Sequence, residues 1–403
     1  MEKTEKLKAV LIPETSPGRK AGFRSVGDYY DFSLLAVIIL LTSFGLIMLY
    51  STSSYMAEMS FGDDMYYFRK QAIISFFCII VAIIISRFDY HILAFFITPL
   101  YGAAAVSMLL VKTPLGVTSH GARRWLGIGP IQFQPAEIAK IAVIVCLPYM
   151  IVRMGKKVKT LKACMTMGVV GGLLALLAYV FTDNLSTAII IFCITAGLIF
   201  VAHPESRIFI ILFLAGVAAV LLFLWILSSA VKSSDSFRIR RILVWLHPEE
   251  FADNEGYQTM QSLYAIGSGG LLGRGLGNSI QKLGSVPEAQ NDMIFSIVCE
   301  ELGILGGLLM LLLFAYLLYR LFFIAQNAPD MFGSLMVTGI FIHIALQVIF
   351  NIAVVVNMMP NTGVTLPFIS YGGTSVLFLM AEMGLALSVS RQIRYEKKAE
   401  PLL

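Results

Sequence analysis

Long, uninterrupted apolar runs constrain this chain more than any motif in it. Phe32 to Tyr50 is one such run. Roughly 20 apolar residues in a helix cross the hydrocarbon of a bilayer, so runs of this kind read as membrane spans. Ten can be counted, at about 32–50, 72–86, 92–111, 138–152, 163–181, 187–202, 208–228, 293–319, 332–356 and 373–390. The short polar gaps at 87–91, 182–186 and 203–207 read as tight turns. With 58% hydrophobic and 14% charged residues, little is left for a soluble domain. The predicted fold class is an all-α polytopic membrane protein of ten transmembrane helices. A large extracytoplasmic loop, 229–292, separates spans seven and eight. Polar tails at 1–31 and 391–403 flank the membrane domain, 32–390. The first run is long enough to span and no small-residue cleavage site follows it cleanly, so it reads as a helix and not as a cleaved signal.

Lysine and arginine set the orientation. With the N-terminus cytoplasmic, the inner segments carry eighteen Lys and Arg residues, among them Arg87, Arg153, Lys156, Lys157, Arg320 and Arg391. The short outer loops carry five: Arg69, Lys70, Lys112, Arg123 and Arg124. Both termini are therefore expected in the cytoplasm. Splitting 163–202 into two spans is required by this count, because losing one would put the basic C-terminus outside. The five cysteines are widely spaced and form no zinc or redox motif. The five histidines show no metal-ligand spacing, and no nucleic-acid partner is expected. No internal repeat is evident, unlike the common transporter architectures.

Five stretches could carry chemistry. Glu288 and Asp292 stand just before the eighth span. Asp292 suits a helix N-cap, the commoner task of an Asp at a helix start, and it also suits a general base at the membrane surface. Arg238, Arg240 and Arg241, with Arg123 and Arg124 in another outer loop, match either phosphate oxygens of a lipid-linked donor or anionic headgroups. The Gly-rich run Gly267 to Gly277 fits neither common phosphate-loop pattern, so close packing and tight turns are the default. Glu137 and Lys140 are three apart at the start of a span and read as an ion pair. Glu300 and Glu301 lie about two turns into the eighth span, and at least one should face the bundle interior. Lastly, Met359 to Ser375 interrupts apolar sequence with prolines, glycines and hydroxyls. Such backbone must be buried in protein or line a wet cavity, so it reads as a re-entrant wall.

The pattern Pro360-x-x-Gly363-x-x-Leu366-Pro367-Phe368-x-Ser370-Tyr371-Gly372-Gly373-x-Ser375 resembles the signature of the SEDS family (shape, elongation, division and sporulation), which includes RodA, FtsW and SpoVE. Gly121-Ala122-Arg123-Arg124-Trp125, Gln134-Pro135-Ala136-Glu137, Gly256-Tyr257-Gln258 with Gln261-Ser262, and Pro287-Glu288 followed by Asp292 agree with it. The resemblance covers about residues 30–390. Details at Gly275 to Ser279 and Gln281-Lys282 look more like the division and sporulation branch. The resemblance implies ten helices and a peptidoglycan glycosyltransferase that polymerises lipid II on the outer face of the bacterial cytoplasmic membrane. It also implies a class B penicillin-binding transpeptidase as partner, with other divisome or elongasome membrane proteins.

The family's catalytic aspartate falls at Asp292. Arg238, Arg240, Arg241, Arg123, Lys282 and Glu288 are then the expected substrate contacts. Glu137, Lys140, Glu300, Pro367, Ser370, Gly372 and Gly373 are the expected cavity and structural residues. A divalent cation, Mg or Mn, is compatible with this chemistry, and no nucleotide or organic cofactor is expected. One segment departs from the family pattern: Thr182-Asp183-Asn184-Leu185-Ser186-Thr187-Ala188 has Asn184 and Ser186 where an acid and a glycine are usual. Two rival readings are a lipid II flippase, with Glu137, Lys140 and Glu300 lining a path, and a scaffold that only recruits the transpeptidase.

Overall fold

The computed structural model describes residues 29–393, except 120–121, 129–130, 206, 208, most of 212–236, 254–255, 284–285 and 288. Eleven helices are labelled in chain order. They are α1 Phe32–Phe61, α2 Tyr66–Arg87, α3 Ile97–Leu110, α4 Pro135–Met154, α5 Leu161–Phe181, α6 Leu185–Ala202, α7 Phe237–Leu246, α8 Tyr257–Gly269, α9 Ile294–Asn327, α10 Met331–Val355 and α11 Ser375–Arg391. Seven (α1, α2, α4, α5, α6, α9 and α10) are long and apolar enough to cross a membrane, α4 being counted with the 3-10 turn that follows it. The chain is a multi-pass membrane protein. Helix α3, with 14 residues, and α11, with 17, are shorter. The expected span at 208–228 lies largely outside the described residues. The region 163–202 does divide into two helices, α5 and α6.

Helices α4 and α10 lie at the centre. Helix α4 packs on α3, α5, α6, α10 and α11, and α10 also packs on α6, α9 and α11. Helices α2 and α5 are peripheral, and most of their surface is left to the surroundings. This follows from composition: a helix apolar on every face can be central or lipid-facing, and the small and polar residues decide which. Helix α4 presents Ala136, Ala139, Ala142, Glu137 and Lys140 as buried residues, whereas α2 exposes Ile73, Phe76, Phe77 and Ile84.

The all-α expectation needs a correction. Residues 116–133 form a three-stranded antiparallel sheet: β1 Gly116–Ser119, β2 Ala122–Ile128 and β3 Ile131–Phe133. Gly116 faces Leu126 and Leu126 faces Phe133, with a bulge between Val117 and Thr118. The segment 229–292, expected as a loop, is helical in part. It contains α7 and α8, and α8 packs along α9 with Ser262 and Ala265 fully buried.

At the end of the bundle opposite the sheet, charged groups staple the turns. Asp31 caps α1 by accepting from the Leu34 N–H at 2.8 Å and pairs with Arg320 at 2.6 Å. His91 lies between Asp89, at 2.6 Å, and Asp330, at 3.2 Å, in the connections before α3 and α10. The Tyr90 hydroxyl donates to Asp330 as well.

Candidate functional site

Asp292 sits in the turn before α9. That helix begins at Ile294 with Met293 as its N-cap, so Asp292 lies one residue short of the cap position. The capping reading is thereby corrected. The backbone around Asp292 is held from two sides. The Asn351 side-chain amide, on α10, donates to the Asp292 carbonyl at 2.7 Å and to the Val364 carbonyl at 2.8 Å. The Tyr371 N–H donates to the Gln290 carbonyl at 2.9 Å. The Asp292 carboxylate lies against the loop at Gly363, whose φ is +69° and where an added Cβ would stand 3.9 Å from Oδ2.

The loop that forms this wall, 356–374, contains no helix. Its carbonyls are taken up by neighbours, as non-helical backbone inside a membrane protein requires. Gln347 donates to the Thr365 carbonyl at 3.1 Å, Ser186 to that of Thr362 at 3.1 Å, and Arg241 to that of Asn361 at 3.3 Å. Pro367 and Ser370 are buried, and the Ser370 hydroxyl accepts from the Leu366 N–H at 2.8 Å. The carbonyl of Gly372 accepts from the Ser375 hydroxyl at 2.6 Å, and Gly373 has φ +45°. These four residues therefore shape the wall.

Two guanidinium groups meet here. Arg241, on α7, is half-buried and interacts electrostatically with both Arg124 and Asp292. Burial, and then repulsion from Arg124, pulls the Arg241 pKa below its ordinary value, while Asp292 opposes this. Burial also lowers the pKa of Arg124, which donates to the Asp183 carbonyl at 3.3 Å. Two like charges brought together away from water are costly unless an anion joins them. A cavity of about 200 Å³ opens beside them, lined by Arg240, Arg241, Trp245, Gln258, Asn357 and Asn361 among others. Its walls are cross-tied: Trp245 donates to the Asn357 carbonyl at 3.0 Å, and Asn361 to Gln258 at 2.8 Å.

Some expected contacts fall elsewhere. Arg123 is exposed and reaches Thr118 at 3.3 Å, while its half-buried neighbour Arg124 interacts electrostatically with Arg241. On a strand successive side chains point to opposite faces, so a shift of one residue decides which arginine is used. Lys282 is buried away from the cavity lining, and its ammonium lies 2.7 Å from Glu301 and 2.9 Å from the Ser51 hydroxyl of α1. The Arg238 side chain and Glu288 lie outside what the structure describes. Glu137 and Lys140 form a buried pair at 2.9 Å. In the divergent segment, Asn184 caps α6 by accepting from the Thr187 N–H at 3.0 Å, which gives that position a structural task.

Lys282 belongs to a second polar cluster, built where α9 breaks. Gly303 has φ +71° and ψ −173° inside α9, and a Cβ there would stand 2.3 Å from the Leu271 carbonyl oxygen. The break lets the Gly-rich run dock. The carbonyls of Glu300 and Glu301 accept from the N–H groups of Arg274 and Gly275 at 2.9 Å each, and the Ile304 N–H donates to Gly270 at 2.9 Å. Both glutamates are fully buried. Glu300 accepts from the Ser279 hydroxyl and from the Ile280 N–H at 3.1 Å, with Arg274 at 3.8 Å. Glu301 is held by Lys282 and by the Ser51 hydroxyl at 2.7 Å. The sequence reading missed Ser51, Ser279, Gln347 and Asn351. The last two were visible as amides inside an apolar run.

Comparison with known proteins agrees with this architecture. The family model described as "Cell cycle protein", which groups FtsW, RodA and SpoVE, matches residues 31–395. The chain is 37% identical to stage V sporulation protein E of Bacillus subtilis over 368 residues, 91% of this chain and 98% of that protein. It is 33% identical to the probable peptidoglycan glycosyltransferase FtsW of Trichlorobacter lovleyi, covering 91% of this chain and 94% of that one. Among solved structures, a chain of a peptidoglycan synthase complex superposes with a TM-score of 0.73 at 24% identity, covering 90% of this chain and 98% of that one. The rod shape determining protein RodA of Thermus thermophilus gives 0.63 at 25% identity, covering 91% of this chain and 98% of that one.

Proposed function

The chain belongs to the FtsW, RodA and SpoVE family of cell cycle proteins, and from that premise we propose how its site works. It is a peptidoglycan glycosyltransferase that polymerises lipid II into glycan strands for division or sporulation septum synthesis. The observation that carries the site assignment is Arg241, which lines a cavity at one end of the bundle and interacts electrostatically with both Asp292 and Arg124. Asp292 takes the proton from the 4-hydroxyl of the acceptor N-acetylglucosamine. That oxygen forms a bond to the anomeric carbon of the polyprenyl-diphosphate-linked sugar. The bond from this carbon to the diphosphate oxygen breaks, and the electron pair leaves with the diphosphate. Arg241 and Arg124, with Arg240 at the cavity rim, stabilise the charge that develops there.

The sheet end is the outer face in this reading. The other end carries Arg87, Arg153, Lys156, Lys157, Lys159, Lys162 and Arg391, which the positive-inside rule places in the cytoplasm. Ten spans with both termini inside complete the topology. The partner is a class B penicillin-binding transpeptidase, alongside other divisome or elongasome membrane proteins. Among the described residues no group of three or more His, Cys, Asp or Glu residues could hold a metal. A Mg or Mn ion arriving with the diphosphate would need only one or two carboxylates, such as Asp292, and would neutralise charge on the leaving group.

The test is glycan-chain formation from fluorescent lipid II by the full chain with its co-expressed transpeptidase, as wild type and as Asp292→Ala. Polymer from the wild type, with about 10²–10⁴-fold less from a folded variant, is expected of a lost general base. Equal polymer from both would remove Asp292 from the chemistry. Headgroup translocation in vesicles without any polymer would favour the flippase reading.

A further inference from the structure

Helix α10 carries three polar side chains at i, i+4 and i+8: His343, Gln347 and Asn351. This spacing puts them on one face of the helix, one above the other. All three are buried inside the bundle, with exposures of 0%, 4% and 1%. Each ties α10 to a different piece of the chain. His343 Nδ1 lies 2.8 Å from Glu382 of α11. Gln347 donates to the carbonyl of Thr365, and Asn351 to the carbonyls of both Val364 and Asp292. Three of the four acceptors are thus backbone oxygens, and two of those flank the wall at Gly363 against which the Asp292 carboxylate lies.

A fully apolar α10 would satisfy the membrane, so polar groups at these depths need a reason. The reason on view is geometric. The turn at Asp292 and the loop 356–374 have no helix of their own to take up their carbonyls. One side-chain amide with two N–H groups joins them at a single point, each N–H reaching one of them. The distance between the carboxylate and its wall is then set by a helix and not by either irregular segment alone.

We propose that this polar face of α10 is the positioning device of Asp292, with Asn351 as its principal positioning residue and Gln347 as support. Asn351 touches the backbone of Asp292 and no reacting atom. His343 and Glu382 anchor the opposite end of the same face. The inference rests on the glycosyltransferase reading above, and it concerns the placement of the base and not its identity.

The test separates turnover from stability. Steady-state polymerisation of fluorescent lipid II and thermal unfolding are measured on the full chain with its co-expressed transpeptidase, for Asn351→Asp, Gln347→Leu and His343→Gln. Asn351→Asp keeps the shape and removes both donors. A misplacement of about 1 Å can cost about 100-fold in rate. The expected result is a kcat loss of about 10- to 100-fold for Asn351→Asp with KM changed by less than about 3-fold. Gln347→Leu loses less, and His343→Gln, farthest along the face from Asp292, loses least while lowering the unfolding temperature most. A purely structural role predicts the reverse: kcat per folded molecule unchanged in all three, with stability alone affected. That result would overturn the proposal.

Hydrogen exchange on the same samples supplies a second readout. Faster exchange at residues 290–293 and 361–366 in Asn351→Asp, with α9 protected, is expected. Unchanged exchange there would overturn the proposal even if the variant were inactive. If the wild type itself makes no polymer, the glycosyltransferase reading fails, and the exchange pattern still decides whether Asn351 holds the two segments together. Should Asn351→Asp not fold, Gln347→Leu carries both readouts, with the same opposing outcomes at 361–366.

Discussion

Two sets of carboxylates stand at opposite sides of one helix start. Glu300 and Glu301 lie inside α9, and Asp292 lies just before it. The glutamates are fully buried and held by Lys282, Arg274, the hydroxyls of Ser51, Ser268 and Ser279, and the N–H groups of Ser279 and Ile280. Their charges are matched within the cluster, which binds α1, α9 and the Gly-rich run together. Asp292 is half-buried, set against an irregular wall, and shares its surroundings with two arginines that repel each other. One set resembles a closed structural knot, because each group already has its complement. The other gathers Arg241 and Arg124 near Asp292 beside a cavity, an arrangement that the proposed function completes with an anionic substrate. Acidity alone therefore does not mark the site; the balance of charge around the acid does.

The comparison can be broken in several ways. The largest effect on folding is expected from Lys282→Met. It leaves the Glu301 charge buried without its cation and should destabilise by about 3–5 kcal/mol, read as a lower unfolding temperature. Adding Glu301→Gln should recover much of that loss. If Lys282→Met instead left stability intact and abolished substrate binding, the sequence expectation of a substrate contact would stand and the knot would not.

Next comes the arginine pair. Arg241→Gln and Arg124→Gln should each lower kcat/KM by about 10- to 100-fold, the size of a lost charge-assisted hydrogen bond of about 1.5–3 kcal/mol. Arg123→Gln should change it by less than about 3-fold, because an exposed substitution of this kind is worth within about 0.5 kcal/mol. Equal effects at Arg123 and Arg124 would contradict the strand geometry.

The smallest bearing on the site is expected from the opposite end. Burial disfavours protonated His91, but hydrogen bonds to Asp330 and Asp89 outweigh it and raise its pKa from 6.5 to about 9. A raised folded pKa stabilises fully below the unfolded value and loses that contribution as pH rises through the folded one. Thermal stability should thus fall from about pH 6.5 to 9 in the wild type. His91→Gln should flatten that slope without changing turnover per folded molecule.

Much of this was legible in the sequence. The long runs gave most of the helices, because hydrocarbon demands length and apolarity and little else. The motifs around Pro360 to Ser375 and Asp292, far apart in sequence, lie side by side in the fold. The sheet was not legible, since its strands are short and its two arginines hide the alternation. The partner of Lys282 was not legible either. It depends on the break at Gly303, and a glycine within an apolar run is ordinary in a membrane helix. The choice between Arg123 and Arg124 needed the strand, and the link from Asn351 to Asp292 spans 59 residues that only the fold brings together.

The most direct measurement compares Asp292→Asn with the double variant Lys282→Met/Glu301→Gln, in polymer formed per folded molecule from fluorescent lipid II. The account predicts a folded Asp292→Asn protein whose polymerisation is lower by about 10²–10⁴-fold. It predicts a double variant that polymerises near the wild-type rate wherever it folds. An active Asp292→Asn protein beside a folded but inactive double variant would contradict it, and would move the chemistry from the turn to the knot.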